Sequence, residues 1–339
     1  MSQQTVEIIA DSLAPSGERL TTFLIEHWRG IHPEILRHRL FSFSVASSRA
    51  IPYKVQEEQV LNSPYIPVLF PTEHKGMQGK EVFNDHDVIH IEQMWKDAKT
   101  FAVANAQKMN EAGVSKQLTN RILEPWVLTR CVVTATNWQN FFDLRAPWHE
   151  EDITRSEFHP KVTNKVGEHT VNLEFPAEYN IQDLALKMKK SLDRSEPVEL
   201  NEGDWHLPFV SEDDYGEVEK ITGSKLDPAT ADAQDKLYIN LSAARCARTS
   251  YGKNIGKSVE AELKLADILW KDRHLSPFEH QGKAIEKVIL PSEGSVDSIC
   301  DTMEKYPGLE LRIGSNRDVS LWSGNFRGWI QYRKVMELS

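Results

Sequence analysis

From His86 to Ala112 the apolar residues Ile91, Trp95, Ala98, Ala102, Ala106 and Met109 recur every three or four positions, which predicts one long amphipathic helix. A second helix is predicted from Ser115 (SKQLTNRILEPW), ended or bent at Pro125, and a third over Tyr179 to Leu192 (YNIQDLALKMKKSL). Runs with strand character are Thr5 to Ala10 (TVEIIA), Leu20 to His27 (LTTFLIEH) and the β-branched VLTRCVVTAT. The first two are separated by the turn-rich DSLAPSGER, and NWQNFFDLR after the third reads as a helix. Pro33 sits where a helix can begin, so HPEILRHR is predicted as a short helix whose last turn is Arg37, His38 and Arg39. Pro147 to Phe175 is polar and weakly periodic, and is read as a loop or hairpin insertion. A linker-like stretch, SEPVELNEGDWHLP, follows the third helix. The C-terminal part predicts helices near Asp235–Arg248 and Val259–Lys271, a strand in GKAIEKVIL, and a final helix near Arg327–Met336. The class is α/β (α+β) with several long helices, and periodicity alone does not give the order of strands in the sheet.

Composition narrows the function classes. At 339 residues the chain can bury a substantial core, and 40% apolar residues with nine tryptophans predict a folded globule. Fifty acidic against forty basic residues leave a net charge of -10. That balance opposes a nucleic-acid-coating role, which needs a basic field, but allows a small anionic ligand on a local arginine cluster. Cys131, Cys246 and Cys300 are far apart, so no metal-binding spacing exists and a disulfide framework is not expected. MSQQTVEIIADSL is too polar for a signal peptide, and no window approaches the roughly 20 apolar residues of a membrane helix. The expectation is a cytoplasmic protein without metal, membrane or nucleic-acid partner.

Four segments crowd ligand-capable side chains among apolar ones. They are EILRHRLFSFSVASSR (Glu34–Arg49), Arg121 with Asn140 and Arg145 in NRILEP and NFFDLR, SAARCARTSY (Ser242–Tyr251), and HLSPFEH (His274–His280). Each has an ordinary explanation. The basic trio could suit a helix's negative C-terminal end, or it could meet an anion. Arg121 and Arg145 could be surface arginines, and Asn140 a helix-terminus residue. SPFEH could be a capping box with Ser276 as N-cap and Glu279 three residues on, and His274 or His280 alone could be structural.

Taken jointly, these segments resemble the flavin-dependent thymidylate synthases (ThyX). RHR, seven residues, then Ser is present as Arg37-His38-Arg39, LFSFSVA and Ser47, followed by Arg49. NFFDLR is similar to the family's NF-x-x-LR, SAARCARTSY to its AAR-x-S-F, and HLSPFEH to its H-x-S/T-PFEH. In compact members the AAR and PFEH segments precede RHR, whereas here they follow it, so the chain resembles a long form with permuted motif order. The resemblance implies one ThyX-like catalytic unit over 1–339 with a central mixed or antiparallel sheet, an insertion near 147–175, and assembly as a homotetramer. It implies methylation of dUMP at C5 to dTMP with methylenetetrahydrofolate, FAD and NADPH. Arg37, His38 and Arg39 would meet the flavin, with Asn140, Ser250, His274, Ser276 and Glu279 lining its site. Ser47, Arg49 and Arg121 would bind the nucleotide, Arg121 from a neighbouring subunit, and Arg145 would sit at the uracil ring. No cysteine follows a proline as in classical thymidylate synthase, and a flavin route needs no thiolate.

Two departures carry an alternative. Where compact members have Asn and Glu in S-x-N-E-x-S-x-R, this chain has Ser44 and Val45. The His-Ala/Gln-x-x-Ile run reappears as PAEYNIQ (Pro176–Gln182) without its histidine, with His149 as a candidate substitute. Both fall near the base and folate, so a different C5-modified nucleotide such as 5-hydroxymethyl-dUMP is the second reading. A non-catalytic nucleotide-binding protein is the third.

Overall fold

The computed structural model describes residues 3–75, 83–146, 177–222, 231–249, 258–286, 296–313 and 319–338. The insertion predicted over 147–175 and Ser250 lie outside the described residues. Strands β1 (Thr5–Leu13), β2 (Arg19–Trp28), β3 (Ser42–Val45), β4 (Leu128–Ala135) and β5 (Val198–Glu199) form one sheet in the order β3-β4-β2-β1-β5. Its pairs are antiparallel except β1 with β5, so the sheet is mixed. Strands β6 (Trp205–His206), β7 (Gly282–Ala284), β8 (Glu310–Ile313), β9 (Val319–Ser323), β10 (Phe326–Arg327) and β11 (Trp329–Gln331) make two smaller sheets, β11-β7-β6 and β10-β9-β8.

Strand alternation divides the large sheet into two unlike faces. Phe23, Ile25, Cys131 and Val133 point to one face, where they pack with Ile181, Leu184, Ala185 and Met188 of the Tyr179–Arg194 helix. Phe141 and Phe142 of the Gln139–Arg145 helix close the same core. The other face pairs Leu24 and Val132 with Cys246 of the Ala231–Arg248 helix. Beside that small apolar cluster it carries Ser12, Thr22, Ser42, Ser44 and Thr134, all buried. Buried hydroxyls are costly unless bonded, so this face requires polar partners from the segments that cover it.

The long helix is observed as Asp85–Glu111, capped by the Asn84 side chain, which accepts from the amides of His86 and Asp87. Ala102, Val103 and Ala106 bury its inner stripe against Val60, Leu123 and Trp126. The Lys116–Leu123 helix ends at the single 3-10 turn Glu124–Trp126, where Pro125 breaks it.

Four local expectations differ from what forms. The helix at Pro33 spans only His32–Ile35, so the basic trio lies beyond it in two successive turns. His38 is drawn into the aromatic core there, which pulls the chain off the helical path. The linker-like stretch contains β5 and β6, and His206 in it is 1% exposed. In GKAIEKVIL only β7 is described as strand. The final helix begins at Tyr332, because Phe326–Gln331 is taken up by β10 and β11 around Gly328, whose φ of 67° lies in the left-handed region that favours glycine.

Candidate functional site

Three segments distant in sequence meet at β3. The segment after it, Ser47–Ala50, is tied to the Lys116–Leu123 helix and the turn that follows. The Ser48 hydroxyl donates to Glu124 Oε1 at 2.6 Å and Asn120 Nδ2 donates to the Ser48 carbonyl at 2.8 Å. Arg121, on that same helix, is exposed and lies 4.0 Å from Glu124. The 3-10 turn Ser276–Glu279 packs beside β3 from the C-terminal third, with Phe278 buried. The Gln331 side-chain amide ties the two together: its Nε2 donates to Ser42 Oγ at 3.0 Å and to the Glu279 carbonyl at 2.9 Å. The structure thus places HLSPFEH against the strand between the basic trio and Ser47, although the two are far apart in the chain.

Before β3, His38 sits between Phe41 and Phe141, with ring centroids at 5.6 and 4.8 Å. Burial, helped by the Arg145 guanidinium, lowers its pKa to about 4, so near neutrality the trio is two cations flanking a neutral imidazole. Arg145 is half-buried, with Nη1 4.0 Å from Glu34. His38 Nε2, Arg145 Nε and Trp138 Nε1 are buried without a hydrogen-bond partner among the described residues. Such orphaned atoms in one small region are what a polar ligand would satisfy.

The cations differ in how they are used. Arg245 of SAARCARTSY makes two 2.6 Å bonds to Asp214, and Arg248 lies 2.6 Å from Glu262, so both serve helix packing. Arg37, Arg39 and Arg49 are exposed and form no ion pair with another described residue. Among the described residues Ser47 Oγ accepts only a long 3.4 Å contact from the Arg49 amide. This set fits a phosphate-bearing group such as FAD or a nucleotide.

The remaining predicted residues are placed as follows. Asn140, His274 and Ser276 are exposed, Asn140 in the first turn of its helix. Ser276 makes no capping bond, and Glu279 is ion-paired with Arg333 instead, so the capping-box explanation does not hold. Glu34, Trp138, Arg333 and His280 enter the neighbourhood without having been singled out as site residues. Glu34 and His280 lie inside motif segments already quoted, and Arg333 lies in SGNFRGWIQYRK (Ser323–Lys334), an ending similar to that of long members of the resembled family.

These features describe an α/β protein with exposed arginines flanking the edge strand of its mixed sheet. The family model described as thymidylate synthase complementing protein matches residues 19–198, more than half of the chain, and the chain belongs to that family. The match contains RHR and NFFDLR; SAARCARTSY and HLSPFEH lie outside it. No curated protein matches the chain. Among solved structures it is similar to a UMP/dUMP methylase, PolB, from Streptomyces cacaoi bound with 5-Br UMP. That likeness has 14% identity and a TM-score of 0.41, covering 57% of this chain and 90% of that one. It is also similar to ThyX from Helicobacter pylori with FAD and dUMP, at 19% identity and a TM-score of 0.29, covering 51% of this chain and 67% of that one. Membership rests on the family match rather than on these two structures.

Proposed function

We propose that this chain is a flavin-dependent enzyme that methylates dUMP at C5. The observation that carries the reading is the exposed set Arg37, Arg39 and Arg49, none of them ion-paired with another described residue, in a chain whose net charge is -10. Each charge-assisted bond from such a group to phosphate contributes roughly 1.5–3 kcal/mol. Arg37 and Arg39 meet the flavin phosphates, and the neutral His38 offers a hydrogen bond rather than a charge. Ser47 and Arg49 hold the nucleotide phosphate, with Arg121 reaching the same phosphate from a neighbouring subunit of a homotetramer. Arg145 stands at the uracil ring, where a fixed cation stabilises negative charge developing during attack at C5. Asn140, Ser250, His274, Ser276 and Glu279 line the flavin site. Bound FAD would supply reducing equivalents reloaded by NADPH, and methylenetetrahydrofolate would supply the carbon.

A second reading is favoured by one observation. Val45, half-buried against the apolar core, stands where compact relatives offer a carboxylate. A pocket lacking that group could let water capture the exocyclic carbon, giving 5-hydroxymethyl-dUMP. Mass spectrometry of dUMP incubated with the protein, FAD, NADPH and methylenetetrahydrofolate separates the outcomes. The expected product is dTMP; one extra oxygen supports the second reading, and unchanged dUMP overturns both. Protein that takes up no FAD, seen as no flavin absorbance after gel filtration, overturns the flavin assignment itself.

A further inference from the structure

The polar face of the large sheet carries a continuous line of side chains that runs across its strands. Ser12 Oγ lies 2.9 Å from His206 Nδ1, and His206 Nε2 lies 2.8 Å from Thr22 Oγ1. Thr22 Oγ1 is 2.8 Å from Thr134 Oγ1, which is 2.8 Å from His280 Nδ1. His280 Nε2 is 2.9 Å from Ser44 Oγ. None of the six residues is more than 6% exposed. We propose that these six side chains form one proton-ordered relay, in which His206 and His280 must share a tautomer and Ser44 is donor or acceptor accordingly.

The constraint follows from counting protons. Burial holds both histidines far on the neutral side, at about 3, so each ring has one N–H and one lone pair. Each hydroxyl has one hydrogen. Five contacts at bonding distance take five of the six hydrogens, and two orders leave the sixth on an end hydroxyl, Ser12 or Ser44, each of which makes a single contact in the line. In the first, Ser12 donates to His206 Nδ1 and every later bond points the same way, ending with His280 Nε2–H donating to Ser44. Both rings are then protonated at Nε2, and the Ser44 hydrogen is left over. In the second, Ser44 donates to His280 Nε2, every bond is reversed, and both rings are protonated at Nδ1. A mixed arrangement that still fills every contact makes Thr22 or Thr134 accept twice and leaves that side chain's own hydrogen without an acceptor among the described residues, and both threonines are 0% exposed. His280 and Thr134 are therefore positioning residues for β3, and the donor state of Ser44, in the middle of the RHR-to-Ser47 segment, is linked to Ser12 at the opposite side of the sheet.

The test is ring-nitrogen NMR on protein labelled with 15N-histidine at neutral pH, which distinguishes the two tautomers. The wild-type protein is expected to show His206 and His280 in the same form. Ser12→Ala removes the acceptor needed by the second order, and a buried unpaired N–H is worse than an unpaired lone pair. Both rings should then be protonated at Nε2. Ser44→Ala removes the acceptor needed by the first order, so both rings should be protonated at Nδ1. His206 thus responds to a change at Ser44, and adding Thr134→Val should abolish that response while Thr134→Ser keeps it. Opposite tautomers in the wild-type protein, or the same His206 tautomer in both alanine variants, would overturn the relay. No ligand is needed, so failure here leaves the proposed function untouched.

Discussion

Arg145 and His38 share one electrostatic setting, and each limits what the other can do. The guanidinium adds to burial in keeping the imidazole neutral, and Glu34 at 4.0 Å only partly offsets the cation. A cation held in place and incompletely neutralised suits charge that appears during a reaction. Arg145→Ala is expected to abolish turnover of dUMP while flavin absorbance of the purified variant is retained; full activity would refute the assignment. The titrating residues also make a stability statement. His27, His32, His38, His206 and His280 all have lowered pKa values, so the unfolded chain takes up protons below about pH 6.5 that the folded chain refuses. Their stability is fully present above 6.5 and is lost as pH falls toward 4, at up to about 1.4 kcal/mol per pH unit for each. Glu178 acts oppositely, because burial raises its carboxyl to about 7 and stability falls as pH rises from 4.5 to 7. Five histidines outweigh one carboxyl. Urea unfolding at pH 5 and 7 should show higher stability at pH 7, and Glu178→Gln should steepen that difference; an unchanged difference would mean Glu178 is not held protonated.

At the scale of elements, the C-terminal helices are joined by ion pairs as well as by the apolar cluster of Val218, Tyr238, Leu241 and Val259. Asp214 of the Glu212–Thr222 helix accepts from both terminal nitrogens of Arg245, each at 2.6 Å, and both side chains are nearly enclosed. Removing one partner leaves a buried charge, so Asp214→Ala should cost about 3–5 kcal/mol in chemical unfolding. A cost below about 1 kcal/mol would show that water reaches the pair. The elements most legible in the sequence are those whose pattern and caps agree, such as Asp85–Glu111 behind Asn84 and Val259–Lys271 behind Ser258. Misread elements are those decided by distant partners. Trp329 and Ile330 fit a helical stripe as well as a strand, and only pairing with β7 settles which forms. Trp205 and His206 read as linker because two residues show no period, yet they complete a sheet.

At the scale of the whole molecule, the mixed α/β architecture and the membership of RHR and NFFDLR in one family are legible from the chain alone. Arg37, Arg39, Ser47 and Arg49 stand out because a basic cluster is unusual in an acidic chain. The two-faced sheet was not legible, since TTFLIEH and SFSV do not reveal that Thr22 and Ser44 face a buried polar layer. Nor was the ion pair of Glu279 with Arg333, which depends on the chain's end returning to the motif turn. Among the described residues no helix is long and apolar enough to cross a membrane, and no cluster of three or more metal-ligating side chains is present. If neighbouring subunits complete the site through Arg121, light scattering should report a homotetramer, and Arg121→Ala should raise the KM for dUMP without dissociating it. A catalytically competent monomer would remove Arg121 from the shared site.

The polar sheet face has a consequence for how this protein is made. Ser44 and His280 are 236 positions apart, so their contact closes a loop spanning most of the chain. Contacts of such separation are entropically late, and a chain emerging at about 5–20 residues per second waits many seconds between the two. During that interval β2, β3 and β4 can pair, but their inner hydroxyls face water instead of His206 and His280. The nascent sheet is therefore well solvated on the side that will become its interior. It becomes dry only when the last quarter of the chain arrives, and the same event completes the site.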